Sequence, residues 1–244
     1  MLKGITTVRT AGLAVMGVFI PALIMLATSP GFAQDGTPDT QPCVKVTRVA
    51  GCVRIERGGA EPVDAAIGDL LYAGDVLSVE KDAKAQLAFP GNTLVLLKEN
   101  SVLSLSELVP EERTRCALTA GYLLANLKEA LSPGATFEVE TPTALAVVRG
   151  TVFEVEIHEP GEEGGTPPVH FYGHQGEVEL LFAEEVLRLG PGALIQLEVG
   201  KLPRILKHSR KLEDVLQMFD PEYWEERAKE EIEEEIQKRL PKFF

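Results

Sequence analysis

Ala85-Gln-Leu-Ala-Phe-Pro-Gly-Asn-Thr-Leu-Val-Leu-Leu97 consists of two short apolar runs on either side of Pro90-Gly91-Asn92. Pro, Gly and Asn together favour a tight turn, so this stretch predicts a β-hairpin. Similar short runs, bounded by Gly or Pro, occur on both sides of it and predict a domain of many short strands over residues 44–200. Those further runs are Cys52–Glu56, Asp75–Val79, Val102–Leu105, Thr136–Glu140, Thr151–Ile157, Val169–Tyr172, Glu177–Leu181, Glu185–Leu189 and Ala193–Val199.

The composition agrees with a turn-rich β protein. The 244 residues include 22 Gly and 16 Pro, and only 6% are aromatic. The 45% of apolar residues excludes a wholly disordered chain. The formal net charge is −13, from 37 acidic and 24 basic residues. This excess of acid argues against a nucleic-acid partner, which would require a basic surface.

Six glycines form a weak internal echo along the chain. Three of them begin a Gly-x-apolar-apolar-polar-apolar pattern, at Gly74, Gly134 and Gly192. Each of these follows an element that begins near another glycine, at Gly51, Gly121 or Gly176. The unequal spacings exclude a strict repeat. We therefore expect a reused β corner at which glycine supplies a positive φ or a sharp turn, in a sandwich or a solenoid-like arrangement.

The segment from Leu118 to Leu131 is ambiguous. Leu123, Leu124, Leu127 and Leu131 fall at helical spacing, whereas Gly121 and the flanking runs favour a strand. We predict a strand followed by a turn.

The first 33 residues have the features of a signal peptide. Lys3 and Arg9 precede an apolar run, Ala11–Ala27, and a small-x-small exit ends at Ala33. We predict cleavage after Ala33, a flexible leader over residues 34–43, and a periplasmic, secreted or cell-envelope protein. An uncleaved N-terminal anchor is the alternative, and membrane contact is expected only in that case. Only ten residues precede the apolar run, so we expect no cytoplasmic domain there.

The sequence offers little chemistry for catalysis, metals or cofactors. No nucleophile, phosphate-binding or zinc-protease motif is present, so we predict no enzyme and no cofactor. His170 and His174 should lie near a turn, and we predict no metal site. Two carboxylate pairs, Glu138/Glu140 and Glu154/Glu156, should each share one strand face.

Three cysteines leave the disulfide pattern open. Cys43 could bridge Cys52, Cys52 could bridge Cys116, or all three could be free thiols.

The C-terminal segment, residues 201–244, is predicted to be a basic linker followed by a helical tail. Ser209 could cap a first helix, and Asp220-Pro221 has the pattern of N-cap and first turn of a second. Trp224, Ile232 and Ile236 recur at four-residue steps along that second helix. They are candidate binding residues for self-association or for a partner helix, although we favour packing onto the chain's own β domain or a largely solvated helix.

Three stretches resemble the FecR domain, a periplasmic module named after a regulator of ferric-citrate uptake. They are Arg57-Gly-Gly-Ala with Ile67-Gly-Asp-Leu-Leu-Tyr-Ala-Gly-Asp-Val-Leu-Ser-Val79, Ala85-Gln-Leu-Ala-Phe-Pro-Gly-Asn-Thr-Leu-Val-Leu-Leu-Lys-Glu-Asn-Ser101, and Phe137-Glu-Val-Glu-Thr-Pro-Thr-Ala-Leu-Ala-Val-Val-Arg-Gly-Thr-Val-Phe-Glu-Val155. The resemblance covers about Val44 to Val199. The run from Thr141 to Thr151 is its most specific part.

Arg149 interrupts the apolar part of that run. It is a candidate binding residue, although we favour a guanidinium that is paired to a carboxylate or to backbone carbonyls and holds a strand corner.

In the regulators of this family the module is joined to a cytoplasmic segment that controls a sigma factor. Because no such segment is expected here, the chain resembles the stand-alone exported proteins with this domain. The resemblance implies a non-catalytic module that binds a protein or envelope partner. The alternatives are a membrane-anchored signalling component and a carbohydrate-binding or carbohydrate-active β protein.

Overall fold

The computed structural model describes residues 41–128, 131–160, 165–225 and 229. The predicted signal peptide, residues 1–33, and most of the predicted leader lie outside them. The chain is mainly β, as predicted, with short helical segments following the strands. The strands are β1 Val44–Ala50, β2 Val53–Arg57, β3 Val63–Asp64, β4 Leu70–Leu71, β5 Asp75–Val79, β6 Lys84–Phe89, β7 Thr93–Leu97, β8 Ser101–Val109, β9 Arg113–Leu127, β10 Thr136–Glu140, β11 Leu145–Val148, β12 Val152–Ile157, β13 Val169–Gln175, β14 Val178–Phe182, β15 Glu185–Leu189, β16 Ala193–Leu197 and β17 Arg204–Lys207.

The strands form two sheets that share one strand. Sheet A has the order β4-β1-β6-β7-β9-β12-β13-β16-β17. Sheet B has the order β3-β2-β5-β8-β9-β10-β11-β14-β15. All pairings are antiparallel except β9 with β10, which is parallel.

The predicted hairpin is present. β6 and β7 pair from Ala85↔Leu97 to Phe89↔Thr93, with the turn at residues 90–92. The strand predicted after Leu118 is also confirmed, because it forms the second half of β9.

Strand β9 passes from sheet B to sheet A at Gly121. Its first part pairs with β8 and β10, and its second part pairs with β7 and β12. Gly121 has φ +81°, and an added Cβ would lie 2.5 Å from Cα of Ser101. Only glycine fits there without displacing backbone. The predicted positive φ is confirmed at all six echo glycines, Gly51, Gly74, Gly121, Gly134, Gly176 and Gly192.

The main core lies where apolar side chains of the two sheets meet. Phe89 of sheet A contacts Phe137 of sheet B edge to face, with ring centroids 5.3 Å apart. Leu87, Leu103 and Phe153 are almost fully buried in the same cluster. The alternation of apolar and polar residues along each strand places these side chains on one face.

The C-terminal segment packs on sheet A. A short helix, α1 Leu212–Gln217, buries Val215. Val215, Phe219 and Trp224 form a second apolar cluster with side chains of sheet A, namely Leu96, Tyr122, Leu124 and Val152. This cluster covers part of the sheet surface opposite the main core.

Three local features differ from or refine the predictions for this segment. The prediction that Ser209 caps the first helix is wrong, because the N-cap is Lys211. The backbone N–H of His208 donates to the carbonyl of Gly192, which continues the β16–β17 pairing by one residue beyond Lys207. Residues 204–207, within the predicted linker, form β17. Asp220 accepts a hydrogen bond from the backbone N–H of Glu222, in the first turn of the predicted second helix.

The three cysteines are free thiols in this structure. Cys116 is buried in the main core, and burial raises the pKa of its thiol to about 12. Within the described ranges, no helix is both long and apolar enough to span a membrane.

Candidate functional site

A polar cluster lies on the outer face of sheet A, opposite the main core. Period-2 alternation places Glu154 and Glu156 on one face of β12, as predicted, and His170, Tyr172 and His174 on one face of β13. Antiparallel pairing sets Glu156 opposite His170 and Glu154 opposite Tyr172. We call the whole group the histidine cluster, and its members are Tyr122, Glu154, Glu156, His158, His170, Tyr172, His174, His208 and Arg210.

All four histidines of the chain belong to this cluster. The rings of His158 and His170 have centroids 4.1 Å apart, and those of His174 and His208 are 4.8 Å apart. His208 reaches the carbonyl of Gly173 through Nε2 at 2.9 Å. Histidines so concentrated in an acidic chain mark this face as the chemically distinctive part of the described structure.

The inner half of the cluster is centred on Glu154, which is fully buried. The Tyr122 hydroxyl donates to its Oε2 at 2.6 Å, and Nε2 of His174 lies 2.6 Å from its Oε1. Burial by itself would raise the pKa of Glu154, but the hydrogen bonds from His174 and Tyr122 and the charge of Arg210 lower it overall. Glu154 is therefore held as an anion by donors on both of its oxygens.

Arg210 joins the C-terminal segment to this carboxylate. Its guanidinium is paired with Glu154, and Nη2 lies 3.6 Å from Oε2 of Glu156. The guanidinium carbon also lies 4.2 Å from the centre of the Tyr172 ring. Burial opposes the charge of Arg210, but the charges of Glu154 and its neighbours raise the pKa of the guanidinium above its usual value. Arg210 thus neutralises the charge of the buried Glu154 carboxylate. The same ion pair attaches the extended chain before α1 to sheet A.

The outer half of the cluster opens to a cleft. The cleft has a volume of about 570 Å³, and its walls include Glu156, His158, Lys98 and Arg210. Nε2 of His158 lies 2.7 Å from Nδ1 of His170. Burial, followed by the charge of His158, lowers the pKa of His170 and favours its neutral form. Two imidazoles and a carboxylate at a cleft wall form a donor set that metals use in proteins.

The residues singled out in the sequence lie elsewhere. Arg149 is exposed at the bend between β11 and β12, where its carbonyl accepts a hydrogen bond from the backbone N–H of Leu131. Within the described residues its guanidinium has no hydrogen bond or ion pair. Trp224 is only 8% exposed, and its Nε1–H donates to the carbonyl of Met218. Ile232 and Ile236 lie outside the described residues.

Sequence reasoning missed the convergence of the histidine cluster. A signal was available, since Glu154-x-Glu156-x-His158 and His170-x-Tyr172-x-His174 both alternate and are separated by an acidic Gly/Pro loop. Pairing those two runs as a hairpin would have brought the groups together. His208 and Arg210 carried no comparable signal, because they reach the cluster from a different part of the chain.

A second notable surface is the edge of sheet A formed by β17. All four of its residues are exposed, including Ile205 at 67% and Leu206 at 43%. In the described structure β17 pairs only with β16. Basic residues accompany the apolar ones, with Arg204 and Lys207 inside the strand and Lys201 before it. We call this strand, with its four side chains, the β17 edge.

Comparisons with known proteins agree with the resemblance seen in the sequence. The family model described as FecR protein matches residues 75–164, a range that begins with β5 and includes β12. The matched stretch is similar to that family, lies within the β domain and includes β12 of the histidine cluster. No curated protein matches the chain significantly.

Two crystal structures of a "putative anti-sigma factor" from Parabacteroides distasonis ATCC 8503 are similar to the chain. Each is 23% identical with a TM-score of 0.47, over 60% of this chain. The match spans 65% of the solved chain in one case and 64% in the other, so less than two thirds of either is covered. At this level of similarity, no function passes from those proteins to this one.

Proposed function

We propose that this protein is an exported, non-catalytic FecR-like module that binds a protein partner in the periplasm or at the cell surface. The observation that carries the proposal is the β17 edge, an exposed strand with apolar and basic side chains at the end of sheet A. The similarity to the FecR family and the features of a signal peptide in residues 1–33 support the cellular setting.

An exposed edge strand is suited to bind an extended segment of another protein. Its free backbone donors and acceptors can extend the sheet by one strand, while side chains of both partners supply specificity. Exposed edge strands usually carry charged residues that prevent unwanted pairing with other chains. Exposed apolar side chains such as those of Ile205 and Leu206 do not serve that purpose or solubility. Arg204 and Lys207 favour a partner segment with acidic and apolar residues.

The interior of the histidine cluster supports a non-catalytic role. Catalysis requires a reactive group that can reach a substrate. The carboxylate of Glu154 is buried and already accepts hydrogen bonds from Tyr122 and Arg210 and an interaction from His174. Its position favours holding the fold together over turning over a substrate.

A photo-crosslinking amino acid at position 205 would test the proposal in the native cell envelope. We expect a discrete protein adduct from position 205, and none from position 63, which is also exposed, at 61%, on the distant edge strand β3. Reversing the charges with Arg204→Glu and Lys207→Glu should reduce the adduct at position 205 at least tenfold.

Failure to crosslink at position 205, or an adduct unaffected by the charge reversal, would overturn binding at the β17 edge. An adduct formed only with the chain's own C-terminal segment would overturn it as well. N-terminal sequencing of the recovered protein tests export in the same sample, since a start at Gln34 is expected.

A further inference from the structure

We propose that Glu156, His158 and His170 bind one divalent transition-metal ion, with Zn²⁺ the best match, at the wall of the cleft. This inference goes beyond the proposed function, because it concerns a different surface from the β17 edge. If the metal site were disproved, the proposed binding at the β17 edge would be unaffected, and the reverse also holds.

The fold brings the three side chains together through strand pairing. Glu156 is directly opposite His170 in the β12–β13 pair. His158 follows Glu156 by two residues, and its backbone N–H donates to the carbonyl of Pro168, which extends the pairing beyond β12. One ligand atom from each of the three residues lies within 4.8 Å of the other two.

The donor set fits zinc. Two histidine nitrogens and one carboxylate oxygen form a common three-ligand zinc site, with a fourth position for water or another ligand. Zn–N bonds of about 2.0–2.1 Å in tetrahedral geometry place two nitrogens about 3.3 Å apart. The nitrogens of His158 and His170 are 2.7 Å apart here. The two rings would therefore have to move apart by about 0.6 Å to admit the ion. Both rings are only half-buried, which allows that movement.

The surroundings leave one carboxylate oxygen available. The Tyr172 hydroxyl donates to Oε2 of Glu156 at 3.2 Å, and Arg210 also approaches Oε2. In the described structure no hydrogen bond reaches Oε1. Carboxylates that bind metals are commonly held in place by a hydrogen bond from a neighbouring group, as the Tyr172 hydroxyl would do here. The Arg210 cation near Glu156 is itself paired with the Glu154 anion, which offsets part of its repulsion of a bound metal ion.

The position also provides an entry path. Glu156 and His158 line the cleft of about 570 Å³, which is open to solvent. A fourth ligand can therefore reach the ion from the cleft. Without metal, the same two imidazoles can share a single hydrogen bond, so binding must be distinguished from that simpler contact.

Titration calorimetry and metal analysis would test the site, with the full exported chain purified without a histidine tag and stripped by a chelator. We expect one equivalent of Zn²⁺ per chain, and Co²⁺ in its place should give the visible absorption of a four-coordinate ion. His158→Gln, His170→Gln and Glu156→Gln should each weaken binding by more than about 100-fold, and Tyr172→Phe by about tenfold.

His208→Gln and Glu159→Gln are the matched controls. The first removes one of the two histidines of the cluster that are not among the three proposed ligands. The second removes an exposed acid at the cleft. Both should keep one equivalent of zinc, with circular dichroism confirming that every variant is folded. Absence of stoichiometric binding by the wild-type chain would overturn the proposal, as would binding that survives His158→Gln and His170→Gln.

Discussion

The outer faces of the two sheets follow the same alternating pattern but have different surroundings. On sheet B, some outward charges form half-exposed ion pairs, such as Arg54 with Glu80 at 3.2 Å. On sheet A, the outward carboxylate of Glu154 is fully buried and is paired with Arg210 from the C-terminal segment. A side chain that points away from the main core is therefore not always exposed to solvent. What covers the face decides whether a carboxylate remains a surface charge or joins a buried network.

The largest expected effect comes from removing the carboxylate at the centre of that network. Glu154→Ala leaves the Tyr122 hydroxyl, a buried histidine nitrogen and Arg210 without their shared acceptor. Breaking a buried charged pair from one side costs about 3–5 kcal/mol in the free energy of unfolding. Urea denaturation followed by circular dichroism measures the loss.

The matched change on sheet B is Glu80→Ala. Both members of its pair with Arg54 are about half exposed. Its expected cost is about 0–1 kcal/mol, because solvent screens such pairs. Equal losses for the two variants would refute the difference drawn between the two outer faces.

A somewhat smaller effect is expected where the two sheets join. Gly121→Ala adds a methyl group 2.4 Å from Oγ and 2.5 Å from Cα of Ser101, at φ +81°. Strain of about 1–2 kcal/mol from the left-handed backbone and a further cost of about 1–3 kcal/mol from overpacking should lower the free energy of unfolding.

Gly192→Ala is the control for that variant. Gly192 has a similar φ of +76°, but its added Cβ would meet no atom within 4 Å. Only the backbone strain of about 1–2 kcal/mol is then expected. If thermal melting shows the same loss for both, the close approach of β9 to Ser101 does not constrain the junction.

The smallest perturbation is a chemical probe of the space between the sheets. Because burial raises the pKa of Cys116 to about 12, almost no thiolate exists at pH 8. Iodoacetamide should therefore modify exposed Cys52 and leave Cys116 unmodified until the protein unfolds. Peptide mass spectrometry distinguishes the sites, and rapid alkylation of Cys116 in the native state would show that the core is not closed.

Local pattern was enough to predict much of the fold. Pro90-Gly91-Asn92 identified the hairpin, and the two carboxylates of β12 were correctly placed on one face. Long-range pairing was not predictable from the same signals, because β10 lies parallel to β9 and β11 pairs with the distant β14. The local propensities of the residues do not determine which strands become neighbours in the sheet.

The histidine cluster was missed for the same reason. His158 and His170 are twelve residues apart and meet only once β12 and β13 pair, while Arg210 arrives from beyond β17. Trp224 illustrates the converse case. Its amphipathic spacing left open packing on the chain's own β domain, self-association and a partner helix, and its ring is buried against sheet A. A helical stripe indicates that one face is covered, without saying by what.

The continuity of β9 has a consequence for how the domain loses its structure. This strand of 15 residues is covalently one piece and belongs to both layers. Neither layer can detach without withdrawing β9 from the other, so the layers are coupled into one cooperative unit. Amide protons on both sides of Gly121 should therefore exchange with solvent at similar, slow rates. A protein built in this way opens at its edge strands while its centre remains closed until it unfolds as a whole.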